Sequence, residues 1–390
     1  MHLKSKKSAS SITERPTILV VDDSQVVVRL IRETLKRDFD VLAAGNGLEA
    51  VQAFQEKKPD MVLLDVEMPV MDGYEACRRI KGMRGAAFTP IIFITGKSDL
   101  KSIKEGLDSG AEDYLTKPFQ PEELLARVNA SLRTRRLYNQ LAEANARIER
   151  ERDIIANIQR SLLSQSPPDI PGFRFFSDYQ PSSKAGGDYY DFIRIDDERL
   201  GALVADVSGH GTPAAVIMAM MRIVLRSHLS KVQSPREVLE RLNAILCENV
   251  KTGDFITAFY GVIHLPTRRM TYASAGHHPC YLFDCNTGEV LDLWVDKGFP
   301  LMIRPENPIG EAEVCLPLDS KLVLYTDGIT EARDPRGEFF GVPRLIETIK
   351  EQGRTLDAQK LGKRLMEVVG DFTCGAGFID DYTLVIVDVE

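Results

Sequence analysis

Between residues 17 and 133, short apolar runs rich in β-branched side chains (18–21, 61–64 and 91–94) alternate with amphipathic stretches of helical length. Five such strand-then-helix units predict a doubly wound α/β domain, a five-stranded parallel sheet with helices on both faces. The pattern changes after residue 121. From Glu122 to Ser166 there is neither glycine nor proline, charges are dense, and good helix formers dominate, which predicts one long helix. Within it Leu141, Ile148, Ile155 and Leu162 recur every seven residues, with Leu137, Ala144 and Ile158 at the complementary position. That repeat predicts a coiled-coil linker pairing two copies of the chain, the alternative being a helix packed on its own domain. Pro167, Pro168, Pro171 and Gly172 stop the helix. Beyond them, strand-like runs at 200–205, 256–264, 321–325 and 382–389 surround two helical segments, 212–228 and 235–250. Strands with segregated helices predict an α+β sandwich. The expected organisation is a disordered tail at 1–15, an α/β domain at 16–133, a helical linker at 134–166 and the sandwich at 167–390.

Composition narrows the classes. The chain has 390 residues, 44% hydrophobic and 27% charged, enough for two cores. Its net charge of -8 disfavours nucleic acid as the main partner. The six cysteines form no C-x-x-C pair, so a reduced, cytoplasmic protein is expected rather than a disulfide or zinc framework. The polar, basic first fifteen residues lack a signal-peptide core, and no apolar run is long enough to cross a bilayer.

In the α/β part, carboxylates fall at the C-terminal ends of predicted strands, the edge where open α/β sheets bind ligands. Asp22 and Asp23 follow the first strand, Asp65 the third, Thr95 the fourth, and Lys117 with Pro118 the fifth. Three converging carboxylates call for a hard divalent cation, Mg²⁺. A carboxylate held beside it can attack phosphorus, while an ammonium and a hydroxyl receive the phosphoryl oxygens. The pieces Val21-Asp22-Asp23-Ser24, Asp65-Val66-Glu67-Met68-Pro69-Val70-Met71-Asp72-Gly73, Thr95-Gly96 and Asp113-Tyr114-Leu115-Thr116-Lys117-Pro118-Phe119 resemble a response-regulator receiver domain over its full length. The resemblance implies that Asp65 is the phosphoacceptor and that Asp22, Asp23, Asp65 and the backbone carbonyl of Glu67 hold Mg²⁺. It also implies that Thr95, Tyr114 and Lys117 form the switch, with a cis bond before Pro118.

Four acidic motifs mark the C-terminal part: Gly186-Gly187-Asp188-Tyr189-Tyr190-Asp191, Asp206-Val207-Ser208-Gly209-His210-Gly211, Tyr325-Thr326-Asp327-Gly328, and Asp380-Asp381-Tyr382-Thr383. Carboxylates buried together without neutralisation are prohibitively unfavourable. Their oxygen-only donor set points to Mg²⁺ or Mn²⁺, and two such ions can share a water for attack on a phosphate monoester. The stretch from about 173 to 390 is similar to the PPM family of metal-dependent Ser/Thr phosphatases, in the SpoIIE/RsbU branch. That resemblance implies an αββα sandwich holding two Mn²⁺ or Mg²⁺ through Asp188, Asp206, the Val207 carbonyl, Asp327 and Asp380. Asp191, His210, His277 and Asp381 are expected behind the ligands. Asp381 stands where the wider family often has Asn, and His278 departs from a motif often written with Asn.

Together these features predict a response regulator whose phosphorylation controls a protein phosphatase. The expected partners are a sensor histidine kinase or phosphotransfer protein and a Ser/Thr-phosphorylated anti-sigma-factor antagonist. A non-catalytic adaptor is the alternative; retention of all four aspartates favours the enzyme. No helix-turn-helix follows the first domain, which disfavours a DNA-binding output.

Overall fold

The computed structural model describes residues 15–83, 88–96, 108–162, 167–296 and 298–390. The expected tail therefore lies almost wholly outside the described residues, as does most of the connection between the fourth and fifth strands. The chain forms two compact units, Met1–Arg147 and Ile148–Glu390.

The first unit is a parallel sheet in the order β2-β1-β3-β4-β5, from β1 (Thr17–Val21), β2 (Asp40–Ala44), β3 (Met61–Asp65), β4 (Ile91–Thr95) and β5 (Asp113–Thr116). Strands β1, β3 and β4 are buried almost throughout, which is why they read as continuous apolar runs. Alternate strand residues feed two cores. Leu19, Val62, Leu64 and Phe93 pack with α2 (Gly47–Lys57) and α3 (Gly73–Lys81). Ile18, Val20, Leu63 and Ile92 pack with α1 (Gln25–Leu35) and the start of α4 (Pro121–Leu162). Asn46 and Asp72 cap α2 and α3 by accepting the N–H groups of Glu49 and Glu75.

Helix α4 covers most of the glycine-free stretch. Its heptad residues do not share one environment. Leu137, Leu141, Ile148 and Ile158 are exposed, whereas Ile155 packs with Ala156, Ala185 and Ala215 inside the second unit. The last turns thus pack on their own domain, the alternative left open by the sequence, while the repeat upstream presents an uncovered apolar row.

The second unit is an αββα sandwich. One antiparallel sheet runs β13-β10-β9-β8-β7 and the other β12-β11-β14-β15-β6. The site-bearing strands are β7 (Tyr189–Arg194), β8 (Arg199–Val207), β14 (Ser320–Tyr325) and β15 (Tyr382–Val389). Ala202 and Val204 of β8 point into the inter-sheet core with Leu322, Leu324, Val385 and Val387. Leu203 and Ala205 face α5 (Thr212–Val224) and α6 (Pro235–Asn249), as the two-residue period of a strand requires. A π-turn, Leu225–Leu229, extends α5. The opposite outer layer is α8 (Gly341–Gln352) and α9 (Ala358–Phe372), with the one-turn α7 (Asp327–Thr330) between β14 and α8. Strands β6 (Phe173–Gln180), β9 (Ile256–His264), β10 (Arg269–Ala275), β11 (Cys280–Asp284), β12 (Val290–Leu293) and β13 (Glu311–Cys315) complete the sheets. Among the described residues no helix is long and apolar enough to cross a membrane.

Candidate functional site

Asp22 follows β1, Asp65 ends β3, and Lys117 follows β5, so parallel strands deliver all three to one edge. Lys117 Nζ donates to Asp22 Oδ2 at 2.7 Å and to Asp65 Oδ2 at 2.8 Å. Carboxylate oxygens of Asp22, Asp23 and Asp65 lie within 4.8 Å of one another, the one acidic group that tight among the described residues. Burial raises the Asp65 carboxyl above its ordinary value, and Lys117 only partly offsets it. Burial works against the Lys117 charge, but its two carboxylate partners outweigh that and raise it. Exposed Glu67 lines an open groove of about 450 Å³ with Asp23, Met68 and Asp72. Thr95 is buried at the end of β4, its carbonyl accepting the Lys117 N–H at 2.8 Å. Tyr114 on β5 is half-buried, and the Lys117–Pro118 bond is cis, as expected. At Gly73 an added Cβ would meet the Asp65 carbonyl at 2.2 Å, so only glycine allows α3 to start this close to β3.

The second set gathers where strands of both sheets end at one edge of the sandwich. Asp188 precedes β7, Asp206 lies at the end of β8, Asp327 opens α7 after β14, and Asp380 and Asp381 precede β15. Asp188 is buried, its Oδ2 accepting the hydroxyls of Thr326 at 2.6 Å and Thr383 at 2.8 Å. Burial and then the Asp206 charge push Asp188 well above the carboxylate range. Burial, then Asp327 and Asp380, raise Asp206 in turn. Burial, then Glu331 and Asp380, raise Asp327 to about 6. Among the described residues no cationic side chain pairs with any of these four aspartates. Asp206 and Asp327 line a cavity of about 350 Å³ with His277, His278 and Glu331. At Gly187 an added Cβ would lie 2.6 Å from the Val207 carbonyl, so glycine lets the Asp188 loop close onto the end of β8.

The four residues expected behind the ligands take different positions. Asp381 fastens the loop ahead of Asp188: it accepts the Ser182 N–H at 2.7 Å and the Gly187 N–H at 2.6 Å. His277 is a strut, with Nδ1 2.9 Å from the Thr257 hydroxyl and Nε2 2.9 Å from the Tyr325 carbonyl. Burial lowers its basicity far below the usual imidazole value, so it bridges as a neutral ring. Asp191 turns elsewhere, pairing with Arg226 of the π-turn and accepting the Tyr189 hydroxyl. His210 stands exposed between Gly209 and Gly211, both at positive φ. In the sequence Thr326 and Thr383 stand out only as neighbours of aspartates, and nothing marks Gln159, whose carboxamide donates to the Gly186 carbonyl at 2.7 Å and accepts the Gly186 N–H at 3.1 Å. The signal for the threonines was their place in Thr-Asp and Asp-Tyr-Thr motifs at strand ends.

An acidic pocket bridged by lysine at the edge of a parallel sheet defines the first unit as a receiver domain, and the αββα sandwich with its converging aspartates defines the second as a PPM-type phosphatase domain. The response-regulator receiver family model matches residues 18–129, and the stage II sporulation protein E (SpoIIE) model matches residues 196–390. The chain belongs to the SpoIIE family and carries a response-regulator receiver domain. It is 32% identical over 243 residues to phosphoserine phosphatase RsbU of Bacillus subtilis (strain 168), covering 62% of this chain and 70% of RsbU. It is 43% identical over 122 residues to the DNA-binding response regulator MtrA of Mycobacterium tuberculosis (strain ATCC 25618 / H37Rv), covering 31% of this chain and 52% of MtrA. The chain thus spans about half the length of that regulator. Among solved structures, the RsbU and RsbW domains of Rv1364c from M. tuberculosis share the fold at TM-score 0.52 and 24% identity, over 59% of this chain and 63% of that one. The SiaA-PP2C domain of Pseudomonas aeruginosa does so at TM-score 0.57 and 21% identity, over 64% of this chain and all of that one.

Proposed function

We propose that the chain is a metal-dependent protein-serine/threonine phosphatase whose activity is set by phosphorylation of Asp65. The observation that carries this reading is the group of four aspartates, three of them with raised pKa values, that has no cationic side chain among the described residues to neutralise it. Divalent cations fit such an oxygen-only donor set. Asp188, Asp206, the Val207 carbonyl, Asp327 and Asp380 would hold two Mn²⁺ or Mg²⁺, which when bound supply a water of lowered pKa and neutralise phosphoryl charge. Thr326 and Thr383 fix the Asp188 carboxylate, Asp381 fixes the backbone before it, and His277 fixes the strand end two residues before Asp327.

In the receiver, Asp65 would take a phosphoryl group from a sensor histidine kinase or phosphotransfer protein. Asp22, Asp23 and the Glu67 carbonyl would hold Mg²⁺ beside it. Lys117 would move from its carboxylate pair to a phosphoryl oxygen, with Thr95 and Tyr114 following. The boundaries 16–133, 134–166 and 167–390 serve as working limits of receiver, linker and phosphatase. The uncovered row on α4 supports a homodimer through the linker. The substrate class is a Ser/Thr-phosphorylated anti-sigma-factor antagonist in a partner-switching circuit, as the resemblance to the SpoIIE/RsbU branch implies; the likeness to RsbU, a phosphoserine phosphatase, supports the phosphoserine part.

The test is phosphate release from a serine-phosphorylated antagonist with Mn²⁺, with and without an acyl-phosphate donor. We expect turnover in the wild type, its loss in Asp206→Ala and Asp327→Ala, and no response to the donor in Asp65→Ala. Turnover that ignores both the donor and Asp65→Ala would remove the control; binding of the antagonist without phosphate release would favour an adaptor.

A further inference from the structure

The cavity of about 350 Å³ beside Asp206 and Asp327 is where a phosphoryl group would sit, and its walls offer such a group few donors. A phosphate monoester brings strong acceptor oxygens that need hydrogen-bond donors or cations. Asp206, Asp327 and Glu331 only accept once ionised, and among the described residues no lysine or arginine lines the cavity. Both nitrogens of His277 are taken, by the Thr257 hydroxyl and the Tyr325 carbonyl. The Thr330 hydroxyl donates to the Asp327 carbonyl at 3.1 Å. Among the described lining residues, the side-chain nitrogen that remains belongs to His278.

His278 is held in one orientation. Its ring lies against those of His277 and Tyr325, each with its centroid 4.1 Å away. Nδ1 stands 3.5 Å from the Pro279 carbonyl, too far for a good hydrogen bond. Nε2 is buried and has no hydrogen-bond partner. A buried polar atom without a partner is unfavourable and rare in folded proteins. With the ring stacked and Nδ1 turned to the backbone, the edge that carries Nε2 is what remains for the cavity. Burial lowers His278 to about 4, so the ring is neutral near pH 7. A neutral imidazole carries one N–H, and the long Nδ1 contact leaves that proton free to sit on Nε2.

We propose that His278 binds the substrate's phosphoryl group: its Nε2–H donates to a non-bridging phosphoryl oxygen held in the cavity beside Asp206 and Asp327. This deepens the proposed function and rests on the phosphatase reading of the cavity. Divalent cations, when bound, supply the positive charge that the phosphoryl group needs. A neutral donor fixed by stacking adds direction, holding the group in one rotation without adding charge.

The test measures phosphate release from a serine-phosphorylated antagonist by the full chain in saturating Mn²⁺, with inorganic phosphate as the inhibitor. His278→Phe keeps the stacked ring and removes the N–H; His278→Asn gives up the ring and keeps a neutral N–H donor. We expect His278→Phe to lower kcat/KM about tenfold or more and to weaken phosphate inhibition by the same order, as loss of one hydrogen bond to a charged acceptor would. The Mn²⁺ concentration for half-maximal turnover should not move, and His278→Asn should recover most of the loss. Wild-type values in a folded His278→Phe protein would overturn the proposal, as would a His278→Asn protein no better than His278→Phe. Should the variants fail to fold, a crystal structure of the unsubstituted chain with Mg²⁺ and inorganic phosphate decides. A phosphate oxygen about 2.7–3.2 Å from Nε2 supports the contact, and any other arrangement overturns it. Failure of the wild type to release phosphate would remove the hydrolytic reading and this contact with it. Release by the wild type with no change in His278→Phe would remove only the contact.

Discussion

At the scale of single residues, the phosphatase pocket is governed by how a buried carboxylate is satisfied. Asp188 has two hydroxyl donors, Thr326 just after β14 and Thr383 in β15 of the opposite sheet. A hydrogen bond to a charged group contributes about 1.5–3 kcal/mol. Thr383→Val, which keeps the shape and removes the donor, should lower unfolding free energy in Mn²⁺ by that order, as read by urea denaturation of the phosphatase unit. An unchanged midpoint would mean that Asp188 does not need the hydroxyl. The pH dependence without metal follows from Asp327, whose folded value of about 6 lies above its ordinary 3.8. Between those values the folded state binds more protons than the unfolded state, so stability falls as pH rises. Metal-free protein should therefore be more stable near pH 4.5 than near pH 7 with respect to this group, and Asp327→Asn should flatten the dependence. A slope of the opposite sign in chelator would contradict the assignment. These residues differed in legibility. The aspartates stood out because glycines and strand ends surround them. Gln159 did not, because a polar residue on a charge-rich helix reads as solvated until Gly186 is folded against it.

At the scale of elements, periodicity was read best where one face or one layer is uniform. The segments expected at 256–264 and 382–389 coincide with β9 and β15, since both are buried nearly end to end. Helices α8 and α9 went unassigned although Leu345 and Ile349, and Leu361, Leu365 and Val369, lie on helical spacing. Their dense charge masks the apolar stripe, which only the sheet beneath makes meaningful. The same ambiguity explains α4: a seven-residue repeat describes both a seam between two copies of the chain and a stripe packed on its own domain. Ile155 took the second role, while Leu141 and Ile148 remain exposed. Exposed positions change stability little, within about 0.5 kcal/mol. Leu141→Glu should thus leave the unfolding midpoint of a dilute sample unchanged yet lower the average mass by light scattering if the row pairs two chains. A mass independent of the substitution would sink the linker dimer.

At the scale of the whole molecule, the two units solve the same electrostatic problem in different ways. The receiver carries its own partial remedy, since Lys117 sits between Asp22 and Asp65. Among the described residues the phosphatase aspartates have no such cation, and burial with mutual repulsion raises Asp188, Asp206 and Asp327. The hydrophobic cores divide the same way: two clusters belong to the receiver strands, and separate ones to the sandwich. Two cores predict two calorimetric transitions. A ligand that binds only the folded state adds RT ln(1 + [L]/Kd), about 2.7 kcal/mol at a hundredfold excess over Kd. Mn²⁺ should therefore raise the phosphatase transition well above its chelated value and the receiver transition less, because Lys117 already offsets part of the receiver's charge without metal. Asp206→Ala should abolish the larger shift and leave the smaller one. If both transitions move equally, or if the Asp206→Ala protein keeps the larger shift, the four aspartates are not the metal-demanding pocket on which the hydrolytic reading depends.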